Sequence, residues 1–373
     1  MSTFACPGLL RVRSFHHTRD MKVILFIGTD KGGFVARSNG TRDSWKIEDP
    51  IFKGWKVTAS TRCPDGTYLA GTSSWVYGAA IHKSSDLAHW TQVDQCPSYT
   101  ETSGHKLDQI WTLEATGSAC YAGVSEAGLF RSADGGNSWE AIPGLNGHAT
   151  RSNWFPGAGG LCAHAVLVDP RNPNRLWCGI SAVGVFRSDD GGETWNAKND
   201  GVPSAIEDSE FKDIGYCVHG LARHPDDANR IFRQDHKGMF RTSNGGDSWD
   251  RIEEGLPSSF GFPVVYNDRT GDLFIVPLES DEYRVPAEGR LTVFRSQNNG
   301  DTWEALRKGL PGPHAYAGVL RGAMDTDHLD PGGIYCGTTS GEVYVSNDDG
   351  ESWTTLPCRL PRIFNISAFV RED

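Results

Sequence analysis

Ser188-Asp-Asp190-Gly-Gly192-Glu-Thr-Trp195 is an eight-residue phrase whose near-copies recur along the chain. Clean copies keep the hydroxyl residue, the acid or amide two residues later, a glycine, and the tryptophan seven residues on. The other clean copies are Ser132–Trp139, Thr242–Trp249, Ser296–Trp303 and Ser346–Trp353. Two degenerate copies precede them, Ser38–Trp45 and the shorter Ser84–Trp90. A period of about 50 residues through most of the chain indicates a stacked or radial repeat.

Each copy of this phrase has the composition of a tight turn that joins two strands. Gly191 and Gly192 supply the positive φ angles that such turns need. Asp190 is placed to accept hydrogen bonds from the backbone of its own turn. Trp195 begins the next strand and is large enough to hold the turn against its repeat. We therefore interpret the phrases as structural turns.

Short apolar segments precede each clean copy. In the fourth repeat they are Ala163–Val168, Leu176–Gly179 and Gly184–Arg187, separated by residues that favour turns. Runs of this length between turn residues are typical of β-strands. Together with the strand that begins at the tryptophan, they predict four short strands in each repeat.

These repeats resemble the Asp-box, also called the BNR repeat, of the sialidase-like β-propellers. The resemblance extends over about residues 22–370. In that family the box is a turn between the third and fourth strands of each blade and lies away from the active centre. The resemblance implies an all-β fold, a seven-bladed β-propeller of four-stranded antiparallel blades with Asp-box turns.

The two ends of the chain are expected to share one blade. Val23–Ile27 and Gly33–Ala36 supply the second and third strands of the first blade, which lacks an inner strand. Ile366–Val370 follows the last box with no box of its own. We predict that this C-terminal strand closes the ring in blade 1, which removes an exposed sheet edge. Residues 21–373 are then one propeller domain, and residues 1–20 a loosely ordered N-terminal extension.

Composition excludes several classes of function. The chain of 373 residues has a net charge of −11 and a pI near 5.5, which argues against nucleic acid or an anionic membrane as its main partner. No apolar run approaches the roughly 18 residues of a membrane span, and residues 1–20 lack the apolar core of a signal peptide. The nine cysteines show neither metal-like spacing nor a disulfide framework. Cys162 and Cys217 recur at matching first-strand positions, which suits buried thiols used as small apolar residues. We therefore expect a reduced, cytoplasmic protein.

In a propeller, the starts of the inner strands and the turns after the second strands gather on one face, around the axis. Candidate ligand-binding residues at these places are Trp55, Trp111, Glu126, Trp154, Tyr216 and Arg321. A long polar insertion, residues 278–289, follows the second strand of the sixth repeat. Insertions of this length in compact repeats are often functional loops.

Three histidines form the most specific candidate centre. His164 and His219 occupy matching inner-strand positions on neighbouring blades, and His236 follows the second strand of the blade that carries His219. One interpretation is that His164, His219 and His236 hold a divalent metal such as zinc, iron or manganese. A second is that His219 or His236 acts as a general base near neutral pH. A third is that each is a core histidine bonded to a backbone carbonyl.

The insertion adds three charged candidates to this centre, Glu279, Asp281 and Arg284. Glu279 is expected to bring a carboxylate to the histidines, and Arg284 to hold a carboxylate or sulfate of the substrate. His219, His236, Glu279 and Arg284 are thus the candidate catalytic group. A solvated surface loop explains the same charges, and the sequence leaves both interpretations open.

Two classes of function fit these features. The first is binding or transformation of a small polar, carbohydrate-like ligand in the central pocket, with metal assistance as one option. An enzyme of this kind is expected to be glycoside hydrolase-like or lyase-like. The second is a non-catalytic scaffold for protein interaction or assembly.

A true sialidase is a third interpretation, which the sequence disfavours. The family requires an Arg-Ile-Pro segment near the first blade, and this chain has none. Arg284-Val-Pro286 is the nearest phrase and lies in the wrong repeat. The resemblance therefore predicts the fold and not sialidase activity.

Overall fold

The computed structural model describes residues 21–117, 119–204 and 211–371. These residues form seven four-stranded sheets, each built from antiparallel neighbours. The sheets are the blades of a closed β-propeller, so the predicted fold class is confirmed. The proposed N-terminal extension, residues 1–20, lies outside the described residues.

Each blade has an inner, a second, a third and an outer strand. In blades 2 to 7 the inner strands are Lys56–Arg62, Ile110–Thr116, Ala163–Asp169, Val218–Arg223, Phe260–Asn267 and Met324–Thr326. From blade 1 to blade 7 the second strands are Lys22–Thr29, Tyr68–Ser74, Ala119–Val124, Asn172–Ile180, Ile231–Asp235, Asp272–Leu278 and Ile334–Gly337.

The third strands end at the Asp boxes, and the outer strands follow them. The third strands are Gly32–Ser38, Gly78–Ser84, Gly128–Ser132, Gly184–Ser188, Gly238–Thr242, Val293–Ser296 and Val343–Ser346. The outer strands are Trp45–Ile47, Thr91–Gln92, Glu140–Ala141, Asn196–Ala197, Asp250–Arg251, Glu304–Leu306 and Thr354–Thr355. Short helical turns lie at Glu101–Ser103, Pro143–Asn146, Arg151–Asn153 and Ala287–Gly289. None of the helices in the described part of the chain is long and apolar enough to cross a membrane.

The C-terminal strand closes the ring, as predicted. Ile363–Arg371 pairs antiparallel with Lys22–Thr29 and becomes the inner strand of blade 1. Each inner strand contacts the inner strand of the next blade, and the strand of blade 7 contacts this closing strand. The pairing covers the inner edge of Lys22–Thr29, which would otherwise expose a row of unpaired backbone groups.

The box of blade 4 shows how local hydrogen bonds fix each turn. Ser188 Oγ donates to Asp190 Oδ1 at 2.8 Å and accepts from the Gly192 N–H at 2.8 Å. Gly192 has a φ of +102°, which favours glycine, and a Cβ there would press on Ile142 of the preceding blade. Trp195, 5% exposed, donates its indole N–H to the Gly192 carbonyl. The two hydrogen bonds of the hydroxyl group recur in the other clean boxes, which confirms the structural interpretation. The bond from the indole to the box glycine recurs in blade 3, whereas Trp249 and Trp303 donate to carbonyls of the preceding blade.

The connections divide between two faces of the ring. The turns after second strands and the links between blades lie on one side, here named the upper face. The Asp boxes and the links from inner to second strands lie on the lower face. Buried apolar clusters fill the spaces between adjacent blades. This arrangement leaves a channel along the axis, lined by inner strands.

Candidate functional site at the upper mouth of the channel

A cavity of about 490 Å³ occupies the axis of the ring. Its wall at the upper face is built from the first residues of the inner strands and from residues just before them. These positions are Trp111, His164, His219, Phe262, Arg321 and Phe364. The volume is in the range of sites for small ligands. Three of the sequence-predicted residues that share this wall, Trp111, His164 and His219, come from adjacent blades.

Cations stacked on aromatic rings surround this mouth. The guanidinium of Arg321 lies 4.7 Å from the Trp111 ring centroid and 5.6 Å from that of Phe262. Arg284, from the blade-6 insertion, lies 5.5 Å from the Phe262 ring. On the other side Lys56 and Arg362 lie 5.0 and 5.3 Å from the Phe364 ring. We name Lys56, Arg284, Arg321 and Arg362 the cationic mouth; it is a positive site on a chain of net charge −11.

Unpaired buried polar atoms concentrate at this mouth. Among the described residues, seven buried side-chain nitrogen or oxygen atoms have no hydrogen-bond partner. Four of them are at or beside the mouth: Gln109 Nε2, Trp111 Nε1, His164 Nε2 and Arg321 Nη1. The amide, indole and guanidinium nitrogens are donors, so what is missing from this wall is a set of acceptors.

Arg321 is the most constrained of these groups. Burial lowers the pKa of its guanidinium, and Arg284 and Arg362 act in the same direction. Its backbone has a φ of +50°, in the left-handed region that few side chains other than glycine adopt. A Cβ at Gly159 would lie 2.4 Å from Nη2 of this arginine, so the guanidinium would have to move. Among the described residues, no carboxylate contributes to the pKa of this guanidinium.

The ring of His219 is held by contacts with Phe262 and Gly261. Its ring stacks on Phe262 with centroids 4.5 Å apart, and its Nδ1 lies 2.6 Å from the Gly261 carbonyl oxygen. Burial, helped by the positive charge of Arg321, lowers its pKa to about 3. The side chain is therefore neutral at pH 7. So low a pKa disfavours His219 as a general base near neutral pH, and its catalytic role stays a prediction.

The other two histidines have different surroundings. The pKa of His164 lies well below its usual range, because the ring is buried and close to Arg321 and His219. The ring of His236 lies 5.8 Å from that of His219, and its Nε2 is 3.2 Å from Asp281 Oδ2. The carboxylate that reaches the histidines is thus Asp281, whereas the Glu279 side chain is exposed at the start of the insertion.

The structure also separates residues that the sequence grouped as ligand-binding. Trp154 is 6% exposed, packs on Phe186, and bonds Thr150 through its indole nitrogen, so it is a core residue. Glu126 bonds His105 Nδ1 at 2.9 Å on the rim of blade 3.

Trp55 and Tyr216 are also engaged with other side chains. The Trp55 ring stacks on that of Tyr77, 5.8 Å away, on the blade-2 side of the upper face. Tyr216 donates its hydroxyl to the Lys212 carbonyl and lies beside Arg233. Neither is among the residues that line the central cavity. Of the ligand-binding candidates, Trp111 and Arg321 are the two at the mouth.

Sequence reasoning missed several members of the site. Cys217 looked like a small core residue because cysteines recur at matching strand positions. Lys56, Phe364 and Arg362 gave no signal, since nothing local distinguishes them from other residues near strand starts. Their one common property is position at the beginning of an inner strand, which becomes informative only when the blade boundaries are known.

The lower half of the channel carries a second titratable group. Glu114, on the inner strand of blade 3, lines the cavity, as do Arg223 and Asp325. Burial raises the pKa of Glu114 to about 7, with Asp325 adding to the increase and Arg223 opposing it. Burial also raises the pKa of Asp325. The channel thus has cationic groups at its upper mouth and, below, two carboxyl groups whose pKa values are raised by burial.

We expect Glu114→Gln to change how stability depends on pH. Because the folded-state pKa is above the usual 4.5, the wild type loses stability as the pH rises from about 4.5 through about 7. The pKa shift of Glu114 corresponds to a change of about 3 kcal/mol at most in the free energy of unfolding. Screening by solvent in the cavity reduces this change to about 1–2 kcal/mol. Urea unfolding at pH 4.5 and pH 8 measures the free energy of unfolding of both proteins. The difference between Glu114→Gln and the wild type should be about 1–2 kcal/mol more favourable to the variant at pH 8 than at pH 4.5. Glu140→Gln, on an exposed outer strand, is the control, and a variant that weakens at pH 8 would contradict the assignment.

Comparisons with known proteins agree with this architecture. The model of the BNR/Asp-box repeat matches residues 186–197, in blade 4. The Photosystem II assembly lipoprotein Ycf48 of Synechococcus sp. is 22% identical over 360 residues, which cover 95% of this chain and 91% of that protein. The oligoxyloglucan-reducing end-specific xyloglucanase of Emericella nidulans is 24% identical over 202 residues, covering 51% of this chain and 19% of the enzyme.

A solved structure, YCF48 bound to D1 peptide, superposes with a TM-score of 0.51 at 15% identity, covering 81% of this chain and 82% of that one. At this identity the likeness concerns the fold. Seven four-stranded blades and repeated box turns define the chain as an Asp-box β-propeller. The box match and the relatives support the resemblance of its repeats to those of the sialidase-like propeller superfamily.

Proposed function

We propose that this chain binds a small polar ligand that carries an anionic group, and that the group sits in the cationic mouth. The observation that carries the proposal is the Arg321 guanidinium, which is stacked between Trp111 and Phe262 with Nη1 buried and unpaired. A buried donor without a partner costs about 1–3 kcal/mol, more when it is charged. A carboxylate, sulfate or phosphate supplies the missing acceptors and the compensating charge.

The surrounding residues support a ligand with polar and ring-like parts. Trp111 Nε1 adds an unpaired donor on the ring that contacts Arg321. Gln109, whose Oε1 accepts a hydrogen bond from Lys56, adds its unpaired Nε2. Phe262 and Phe364 present apolar ring surface in the same wall. A sugar acid, sugar phosphate or sugar sulfate combines these features in a molecule that fits about 490 Å³. Hydrolysis or elimination of such a ligand stays a prediction from the sequence.

A second candidate function, a protein-interaction scaffold, is favoured by a separate observation. The seven large apolar side chains that are exposed among the described residues all lie on links of the upper face. They are Trp75, Val76, Tyr77, Phe155, Phe211, Tyr283 and Tyr316. Exposed apolar surface on one side is a feature of interaction sites. The relative with nearly full-length coverage is named as an assembly protein, which supports the same proposal.

Replacing Arg321 by Met tests the anion site. We expect affinity for the preferred anion to fall about 10- to 100-fold, the value of hydrogen bonds to a charged group. Removal of an unpaired buried charge leaves the melting temperature unchanged or higher. Calorimetric titration with glucuronate, glucose 6-phosphate, glucose 6-sulfate and neutral glucose compares the three anionic groups with an uncharged sugar.

Arg131→Met, on an exposed third-strand position of blade 3, is the matched control and should leave binding intact. Retention of full affinity by Arg321→Met would contradict the proposal. Absence of binding to all four sugars would favour the scaffold, which crosslinking of wild type and Trp75→Ala to copurified proteins would then examine.

A further inference from the structure

Blade 5 brings together three side chains whose chemistry suits a transition metal. The ligand atoms of Cys217, His219 and His236 all lie within 4.8 Å of one another. Among the described residues this is the group of histidine, cysteine and carboxylate side chains with metal-binding spacing. Cys217 therefore replaces His164 as the third member of the group that was predicted from the sequence. We propose that Cys217, His219 and His236 bind a zinc ion at the upper mouth.

The tautomer of His219 directs a lone pair into this group. The Gly261 carbonyl can only accept, so the contact of 2.6 Å requires that Nδ1 carry the proton. Nε2 is then unprotonated and faces Cys217 Sγ at 3.5 Å. A ligating histidine that donates its other N–H to a carbonyl is the usual arrangement around protein-bound metals.

The spacing of the first two ligands fits a tetrahedral site. With Zn–S of about 2.3 Å and Zn–N of about 2.0 Å, two tetrahedral ligand atoms lie about 3.5 Å apart. The separation of Cys217 Sγ and His219 Nε2 is 3.5 Å. The backbone fixes the third ligand nearby, because the His236 N–H donates to the Cys217 carbonyl at 3.0 Å. A small rotation of the partly exposed His236 ring completes three ligands.

Charges around the group both favour and oppose a cation. Arg284 and Arg321 repel it, since both lie on the Phe262 ring that stacks on His219. Loss of the Cys217 thiol proton on binding adds one negative charge to the coordination sphere. Asp281, 3.2 Å from His236 Nε2, adds another at its edge.

Sulfur and imidazole ligands together select zinc over magnesium or calcium. Three protein ligands leave the fourth position for water or for a ligand in the cavity. Zinc binding does not depend on the anion site, and Arg321→Met should keep or raise the zinc content.

The proposal is tested on the full chain, purified without a histidine tag and loaded with zinc or cobalt. We expect about one zinc per chain after gel filtration, a higher melting temperature with zinc, and thiolate-to-cobalt charge-transfer absorption in the cobalt form. Cys217→Ser should remove this absorption, and Cys217→Ser and His236→Gln should each lower zinc affinity at least about tenfold. Cys358→Ser, a half-buried cysteine elsewhere on the upper face, should match the wild type.

Two results would overturn the zinc site. One is a wild type that retains no zinc after gel filtration. The other is a zinc affinity in His236→Gln equal to that of the wild type. His236 is 28% exposed, so this variant is expected to fold even if Cys217→Ser does not, and melting curves without zinc verify that each variant is folded.

Discussion

Deletion of residues 363–373 is expected to abolish the cooperative unfolding of the intact ring. The strand Ile363–Arg371 pairs along the whole of Lys22–Thr29 and contacts the inner strands of blades 2 and 7. Its loss exposes a buried sheet edge at the axis and leaves blades 1 and 7 without their junction. We expect a loss of more than about 5 kcal/mol, comparable to the entire stability of many domains.

Circular dichroism during thermal and urea unfolding measures this effect. A chain that ends at Arg371 is the control and should match the intact protein, because it keeps every paired residue of the closing strand. A truncated chain that melts at the wild-type temperature with an unchanged urea dependence would show that the ring does not need its closing strand.

Trp195→Ala is expected to lower the free energy of unfolding by about 3–5 kcal/mol, the cost of removing a large buried aromatic side chain. The indole is 5% exposed and packs with residues of blade 3, and its N–H bonds the Gly192 carbonyl at 3.0 Å. The change therefore opens a cavity between two blades and loosens the turn. Urea unfolding of the variant gives the difference directly.

Trp75→Ala provides the matched control, because that indole is 98% exposed. Its stability should stay within about 0.5 kcal/mol of the wild type. The box is on the lower face, so the folded Trp195→Ala protein should bind zinc and anionic sugars as the wild type does. A stable Trp195→Ala protein that has lost binding would assign the boxes a role beyond holding turns.

The candidate site was predictable only in outline. Comparison of equivalent positions in the repeats predicted that His164 and His219 face the axis, and both line the cavity. It also selected Trp154, which packs in the core, because a strand-start position does not determine which way a bulky side chain turns. Within the insertion it favoured Glu279, whereas the loop backbone brings Asp281 to His236.

The metal-binding candidates show the same limit. Regular spacing suggested a group of three histidines on the two inner strands and the following turn. The pairing of Val218 with Asp235 instead sets Cys217 and His236 side by side at the end of one blade. A residue interpreted as a small apolar filler thereby becomes a ligand candidate, because register decides which neighbours it has.

The blade count, the turn chemistry and the closing strand could be predicted from the sequence alone. Each of these depends on interactions within eight residues or on a pattern repeated seven times, as the bonds of Ser188, Asp190 and Gly192 show. The site became recognisable in the folded ring, where Arg321 contacts Trp111 and Phe262 and the three residues come from three different blades. Residues so far apart in the chain share no local signal, and their contact depends on the ring being closed and on the direction in which each side chain leaves its strand.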